Sequence, residues 1–185
     1  MESGDGLNRL SLPLLEELAA APLAYPQASR FILAGNARCF SAGADLQTIA
    51  RLDGPAAWAF ARRGQAALGA VARSPIPFVA VVEGSCLGGG LDLALACCAR
   101  LAAPDAYFGH HGAKLGLVTG WGGTQRLPPL IGMARTLDHL LTAQGWPAGA
   151  ALAEGLVQAV HAPSQLLSAA IAAPLPRSAS LSGPR

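Results

Sequence analysis

Charged side chains are scarce in this sequence of 185 residues. They make up 13% of it, and Lys114 is the only lysine among 13 basic residues. The net charge is only +2 and the basic residues form no run, which argues against a protein that binds nucleic acid through its phosphates. Apolar residues make up 52%, so the chain is not of the disordered class, which buries too little apolar surface to fold. A single domain is expected from the length.

The sequence also lacks cysteine pairs at metal-binding spacing. None of its four cysteines forms a CxxC pair, so we predict buried free thiols and no metal site. Free thiols indicate a reducing compartment, and the acidic start of the chain has no apolar segment typical of a signal peptide. Residues 155–176 form the longest uncharged stretch, but they include too many polar side chains for a membrane span. We therefore expect a cytoplasmic protein with neither membrane nor nucleic-acid partners.

Short apolar segments alternate with helical segments along the chain. Strands are predicted at residues 30–34, 78–82, 106–109 and 156–160. Helices are predicted at residues 11–21, 58–72, 91–100, 136–143, 148–154 and 164–173, with two more beginning near Asp45 and Thr124. This alternation indicates an α/β fold with a mostly parallel sheet. Residues 1–173 are expected to form the domain, and the Pro/Ser-rich residues 174–185 a disordered tail.

Two strand–loop–helix units carry the candidate chemistry. The first strand leads into the small residues 41–44, and the second, at residues 78–82, leads into the glycines 88–90. Such loops present backbone N–H groups that have no partner within the helix and that favour negative charge. Two loops facing each other would form a two-donor oxyanion hole for an enolate or a tetrahedral oxygen. From spacing alone, glycines that only permit tight strand–helix packing are an equally good interpretation.

Several segments, in order, resemble the enoyl-CoA hydratase/isomerase (crotonase) family. They are FSAGADL at residues 40–46, VAVVEGSCLGGGLDLALACCARLAAPDAYFG at 79–109, LGLVTGWGGTQRLPPLIG at 115–132 and GWPAGAALAEGLVQAV at 145–160. The resemblance covers residues 7–171 and implies an α/β crotonase-like spiral of ββα units, truncated at both ends relative to the family. It implies acyl-CoA or enoyl-CoA as the substrate, no permanently bound cofactor, and a homo-oligomer, either a trimer or a hexamer.

The resemblance also assigns site residues. It implies that the thioester oxygen is held by the backbone N–H groups of Ala44 and Gly89. The residues it places along the substrate are Ala42, Ala44, Asp45, Leu46, Gln47 and Gly89. Family hydratases carry two glutamates; the first falls on Asp92 and the second on Gly112, which has no side chain. Asp92 is therefore the expected acid/base, and the neighbouring His110 and His111 are possible substitutes.

Three functions remain open from the sequence. An enzyme of the hydratase/isomerase type would hold an enolate with two amides and use Asp92, and isomerisation would survive the loss of one carboxylate better than hydration. A CoA-thioester-binding or assembly protein would keep the groove but turn over little or nothing, because Gly112 replaces the second carboxylate. A serine hydrolase using Ser41 or Ser85 with His110 has no supporting motif.

Overall fold

The computed structural model describes residues 3–174, so the tail expected over residues 174–185 lies outside the described part except for Pro174. The strands are β1 (Phe31–Ala34), β2 (Cys39–Ser41), β3 (Phe78–Val82), β4 (Ser85–Leu87), β5 (Ala99–Ala102), β6 (Tyr107–Gly109), β7 (Trp146–Pro147) and β8 (Ala159–Val160). The helices are α1 (Leu12–Ala24), α2 (Leu46–Ala50), α3 (Gly54–Ala72), α4 (Gly89–Ala96), α5 (Gly123–Arg126), α6 (Pro128–Ile131), α7 (Met133–Thr142), α8 (Ala148–Ala153) and α9 (Pro163–Ala172), with a 3₁₀ helix at His111–Leu115.

The strands form two four-stranded sheets, with the orders β1-β3-β5-β8 and β2-β4-β6-β7. Every ladder pair is parallel except β6 with β7. Strands β1 to β6 alternate between the two sheets, and helices follow the pairs β1–β2 and β3–β4, so this part of the chain is built from ββα units. The expected α/β fold with mostly parallel strands is confirmed. The carboxyl ends of β2, β4 and β6 consequently lie side by side.

Burial explains which segments become central strands. All five residues of β3 are buried, and β3 pairs with β1 on one side and β5 on the other. A continuous apolar run is typical of a parallel strand covered on both faces. Helix α1 begins where the sequence predicts, because the Ser11 hydroxyl accepts a hydrogen bond of 3.3 Å from the Leu14 N–H. None of the helices within residues 3–174 is long and apolar enough to cross a membrane.

The helix predicted at residues 91–100 is wrong in its second half. Helix α4 ends at Ala96, and the chain continues directly into β5. An uninterrupted apolar run does not distinguish a buried helix from a buried strand by periodicity. Arg100 marks the change: its buried guanidinium donates from Nη1 to the Cys97 carbonyl at 2.8 Å and from Nε to the Leu156 carbonyl at 2.7 Å. A buried arginine thus occupies the Cys97 carbonyl at the end of α4 and ties it to the segment around Leu156.

Other sequence predictions also need correction. No strand is predicted between the first strand and the small residues 41–44, but β2 lies there, and the strand expected at residues 156–160 is only Ala159–Val160. Thr124 does not cap α5 but lies inside it, because the helix begins at Gly123 after Gly122, whose φ is +115°. The prediction of free thiols holds for all four cysteines, of which Cys98 is half-buried and the others are buried.

Candidate active site

The carboxyl ends of β2, β4 and β6 open into one cleft of about 410 Å³. Helices α2 and α3 and the segment 110–121 supply its other walls. Its large apolar lining residues include Leu46, Ile49, Phe60, Leu117, Val118 and Trp121. A concave, mostly apolar site of this volume is suited to a small organic ligand or to part of a larger one.

Two backbone amides meet inside this cleft. A Cβ atom built on Gly89 would lie 3.4 Å from the Ala44 nitrogen, and one built on Gly43 would lie 2.7 Å from the Gly89 nitrogen. Gly89 is the first residue of α4, so its N–H has no partner within the helix. Neither the Ala44 nor the Gly89 amide donates to another backbone group of residues 3–174. The structure thus brings together the two residues that the sequence singles out as donors.

The loop that carries Ala44 is held by the N-terminal segment. Gly43 has a φ of +86°, which favours glycine, and its N–H donates to the Ser41 hydroxyl at 3.0 Å. That hydroxyl donates in turn to the Asn8 carbonyl at 2.8 Å, and the Leu10 N–H donates to the Gly43 carbonyl at 2.9 Å. Ser41 therefore has a structural role. Neither Ser41 nor Ser85 lines the cleft, which removes the support for a serine hydrolase.

Asp92 is buried one turn into α4, with 2% of its surface exposed, and it lines the cleft. Its two carboxylate oxygens lie 2.8 and 2.7 Å from the Thr119 hydroxyl, which donates its single proton to one of them at a time. The His110 Nε2 atom lies 3.3 Å from Oδ1 of Asp92. That nitrogen has no hydrogen-bond partner, alone among the buried side-chain polar atoms in the described part of the chain. Asp92 and His110 therefore form a buried polar pair at the wall of the cleft.

The adjoining 3₁₀ helix contributes His111 and Gly112 to the cleft. Partial burial lowers the pKa of His111, and electrostatic repulsion from Lys114 and His110 acts in the same direction, which favours the neutral imidazole. A Cβ built on Gly112 would lie only 2.9 Å from the Leu117 carbonyl oxygen. The turn is thus too tight for a side chain at position 112. Among the described residues that line the cleft, Asp92 is the only carboxylate.

The expected substrate-binding residues divide into two groups. Ala42, Ala44, Leu46 and Gly89 line the cleft, whereas Asp45 and Gln47 do not. The Asp45 carboxylate caps α2, as predicted, by accepting hydrogen bonds from the backbone N–H and the hydroxyl of Thr48. The Thr48 hydroxyl is the main reason that the pKa of Asp45 lies below its usual value. Gln47 is exposed on α2.

Thr119 and Trp121 are site residues that the sequence analysis missed. Thr119 is 27 residues from Asp92, so nothing local indicates their contact. Trp121 is a buried indole whose ring centroid lies 5.2 Å from that of Phe60. A Cβ built on Gly89 would approach its six-membered ring to 2.6 Å. A single bulky aromatic residue between glycines was the only sequence signal for this contact.

The chain matches known proteins over nearly all of its length. The family model for enoyl-CoA hydratase/isomerase matches residues 2–175. The crystal structure of an enoyl-CoA hydratase from Bacillus anthracis is 35% identical, with a TM-score of 0.83, over 92% of this chain and 67% of that chain. The structure of DspI from Pseudomonas aeruginosa is 33% identical, with a TM-score of 0.81, over 88% of this chain and 67% of that chain.

An enoyl-CoA hydratase from Thermoplasma volcanium is 28% identical, with a TM-score of 0.84, over 92% of this chain and 69% of that chain. The present chain therefore spans about two thirds of the length of these solved structures. The crotonase-like fold expected from the sequence motifs is shared with them, as the TM-scores show. On the match of its sequence and its fold, this chain belongs to the enoyl-CoA hydratase/isomerase family.

Proposed function

We propose that this chain is an acyl-CoA thioester enzyme of the enoyl-CoA hydratase/isomerase type. The observation that carries the proposal is the pair of unpartnered amides, Ala44 and Gly89, side by side in an apolar cleft. Two donors aimed at one thioester oxygen stabilise the negative charge that develops there when an enolate forms. The substrate is then an acyl-CoA or enoyl-CoA, and the donors are backbone groups that need no bound cofactor.

Asp92 is the proposed acid/base. For a 3-enoyl thioester, its carboxylate accepts a proton from C2, and the electron pair of that C–H bond moves into an extended enolate held by the two amides. The resulting carboxylic acid then returns the proton to C4, which leaves the double bond between C2 and C3. Thr119 and His110 position the carboxylate, and the burial of Asp92 strengthens its interaction with both.

Isomerisation is favoured over hydration by the composition of the cleft. Hydration needs a water molecule to be held and activated in addition to a proton for the neighbouring carbon. Two carboxylates would divide these tasks, but the position at which a second one is expected is Gly112, in a turn without room for a side chain. A single carboxylate that moves one proton between two carbons is sufficient for isomerisation.

The proposal is tested with three thioesters. Butanoyl-CoA, which cannot react, measures binding by calorimetry, and a 3-enoyl-CoA and crotonyl-CoA measure isomerisation and hydration by absorbance. We expect binding of butanoyl-CoA and isomerisation at least tenfold faster than hydration. Fast hydration of crotonyl-CoA that persists in Asp92→Asn would overturn the role of Asp92. Absence of butanoyl-CoA binding would overturn the proposal as a whole.

The absence of a second carboxylate also supports an alternative. A CoA-thioester-binding or assembly protein would use the same cleft and the same two amides but would turn over neither substrate. It is distinguished by butanoyl-CoA binding together with no conversion of either enoyl thioester at high enzyme concentration.

Thr119→Val is expected to lower kcat about tenfold, while Thr119→Ser preserves it. The valine keeps the shape of the threonine but removes the hydroxyl that bonds to both oxygens of Asp92, and a hydrogen bond to a charged group contributes about 1.5–3 kcal/mol. The affinity for butanoyl-CoA should change less than threefold, because the hydroxyl acts on the carboxylate. An equal fall of kcat in both variants would contradict this role.

We also propose that the chain self-associates through α7. Met133, Leu137 and Leu141 recur every four residues on this helix and are 59%, 49% and 73% exposed. Such spacing puts three large apolar side chains on one face, and a contiguous exposed apolar patch drives association. The trimer or hexamer implied by the sequence motifs is the assembly expected.

Light scattering tests this association. The unmodified chain should exceed 18.7 kDa, and Leu141→Lys should shift it toward the monomer. Leu23→Lys is the matched control, because Leu23 is an exposed leucine on a different helix, α1. A monodisperse 18.7 kDa monomer of the unmodified chain would contradict the proposal.

A further inference from the structure

A second cavity of about 800 Å³ lies next to the cleft. It is bounded by the second half of α3, the end of α4, and α5 with α6. Ala61, Thr119, Gly120 and Trp121 line both spaces, so the two cavities share one wall. Its other walls combine apolar residues, Ala72, Leu95, Ala96 and Leu130, with the polar residues Gln65, Arg73, Arg100, Gln125 and Arg126. The function proposed above makes no use of this space.

The side chain of Trp121 forms the largest part of that shared wall. Its six-membered ring lies against Gly89 at the start of α4, and its pyrrole edge lies against Gly64 on α3, so the indole extends from one helix to the other. Glycine is required at both contacts, because a Cβ at either position would collide with the ring. Only 3% of Trp121 is exposed although it borders two cavities, which means that it is wedged in place.

The backbone of Trp121 is fixed as well. Its carbonyl accepts a hydrogen bond of 2.9 Å from Nη1 of Arg126, one helical turn further on. The side chain of Phe60 packs against the indole from α3. A side chain held by two helices, a neighbouring ring and a hydrogen bond to its own carbonyl is suited to act as a rigid partition.

We propose that Trp121 determines the acyl-chain length that the cleft accepts, and that the cavity behind it is a distal acyl subsite closed by the indole. This inference rests on the proposed function, since it concerns the same cleft. The indole touches Gly89, whose amide is a proposed thioester donor, so the partition stands beside the point from which the acyl chain extends. A chain that grows toward α3 and α4 meets the ring, whereas behind it lies a space that offers apolar contacts at Leu95, Ala96 and Leu130.

The expected effect follows from the burial of methylene groups. Each methylene that enters an apolar site tightens binding about fourfold. In the unmodified chain, affinity for saturated thioesters should therefore rise with length until the chain meets the indole and then level off by octanoyl-CoA. In Trp121→Ala it should continue to rise, so that dodecanoyl-CoA, which has four more methylenes, binds about 250-fold more tightly than octanoyl-CoA.

The experiment is calorimetry with butanoyl-, octanoyl- and dodecanoyl-CoA, which bind without reacting. Trp58→Ala is the matched control, because Trp58 is an exposed tryptophan on α3 that lines neither cavity. Its affinity profile, the dependence of affinity on acyl-chain length, should equal that of the unmodified chain. Trp121→Leu keeps an apolar side chain but removes the indole, so its affinity should also continue to rise beyond octanoyl-CoA. It replaces Trp121→Ala in the experiment if that variant does not fold.

Failure of the proposed function and failure of the Trp121 partition give different results. If the unmodified chain binds no thioester of any length, the proposed function is wrong. If it binds butanoyl-CoA but its affinity already rises through dodecanoyl-CoA, or if the Trp121 variants show the unmodified profile, the proposed function stands and the partition is overturned.

Discussion

Gly43→Ala is expected to abolish turnover and to weaken the binding of butanoyl-CoA strongly. A methyl group at position 43 would lie 2.7 Å from the Gly89 nitrogen and 2.8 Å from the Leu87 carbonyl oxygen, so it would intrude between the two amides proposed to hold the thioester oxygen. Loss of one such donor typically costs about 3 kcal/mol of transition-state stabilisation, or more than 100-fold in rate. The measurement is kcat/KM with a 3-enoyl-CoA, together with calorimetry.

The matched control for this substitution is Gly132→Ala. Gly132 has a φ of +85°, against +86° for Gly43, but a methyl group there meets no atom within 4 Å, and it lies at the start of α7 outside the cleft. Both variants carry the backbone strain of a positive φ, about 1–2 kcal/mol of stability. We expect Gly132→Ala to keep its turnover. Equal turnover by the two variants, with both of them folded, would show that the amides at Ala44 and Gly89 are not the donors.

Asp92→Asn is expected to lower kcat by about 10²–10⁴-fold, because a positioned acid/base contributes that much and the amide cannot take up the proton. Asparagine has the same shape and still accepts a hydrogen bond from Thr119, so burial and packing are preserved. Affinity for butanoyl-CoA should change less than threefold. A fall in affinity that equals the fall in kcat/KM would mean that Asp92 holds the ligand and does not transfer the proton.

Asp138→Asn is the control for this second substitution. Asp138 is an exposed carboxylate on α7 that does not line the cleft, so removal of its charge should leave both kcat and affinity unchanged. If both variants lose activity equally, the effect comes from net charge or from stability. In that case the histidines of the cleft, His110 and His111, become the candidates for acid/base chemistry.

The sequence by itself determined the class of fold and the two loops of the site. An apolar run as short as Phe78–Val82 favours a strand buried on both faces, because it is too short for a typical helix, and the glycines around position 89 permit a backbone that approaches a neighbour closely. These are local requirements of the chain, so local patterns reveal them. Several motifs in the same order as in the enoyl-CoA hydratase/isomerase family then indicated membership of that family, and the family model that matches residues 2–175 confirms it.

Local sequence patterns did not predict the secondary structure correctly where a buried helix and a buried strand would show the same apolar run. Residues 91–100 are apolar nearly throughout, and the change from helix to strand after Ala96 depends on pairing with β3 and on the carbonyls that Arg100 reaches. The three-residue strands β2 and β4 were missed for a related reason. They are too short to show alternation, and they exist because a parallel neighbour supplies their hydrogen bonds.

The tertiary structure alone decided how the site is completed. Thr119 reaches Asp92 across 27 residues, Trp121 fits between glycines of two helices, and Gly112 proves to lie in a turn without room for a side chain. Each of these facts is a distance between segments remote in the chain, and no residue pattern encodes such a distance. The family motifs in the sequence pointed to Ala44, Gly89 and Asp92, which line one cleft, whereas packing determined what surrounds them.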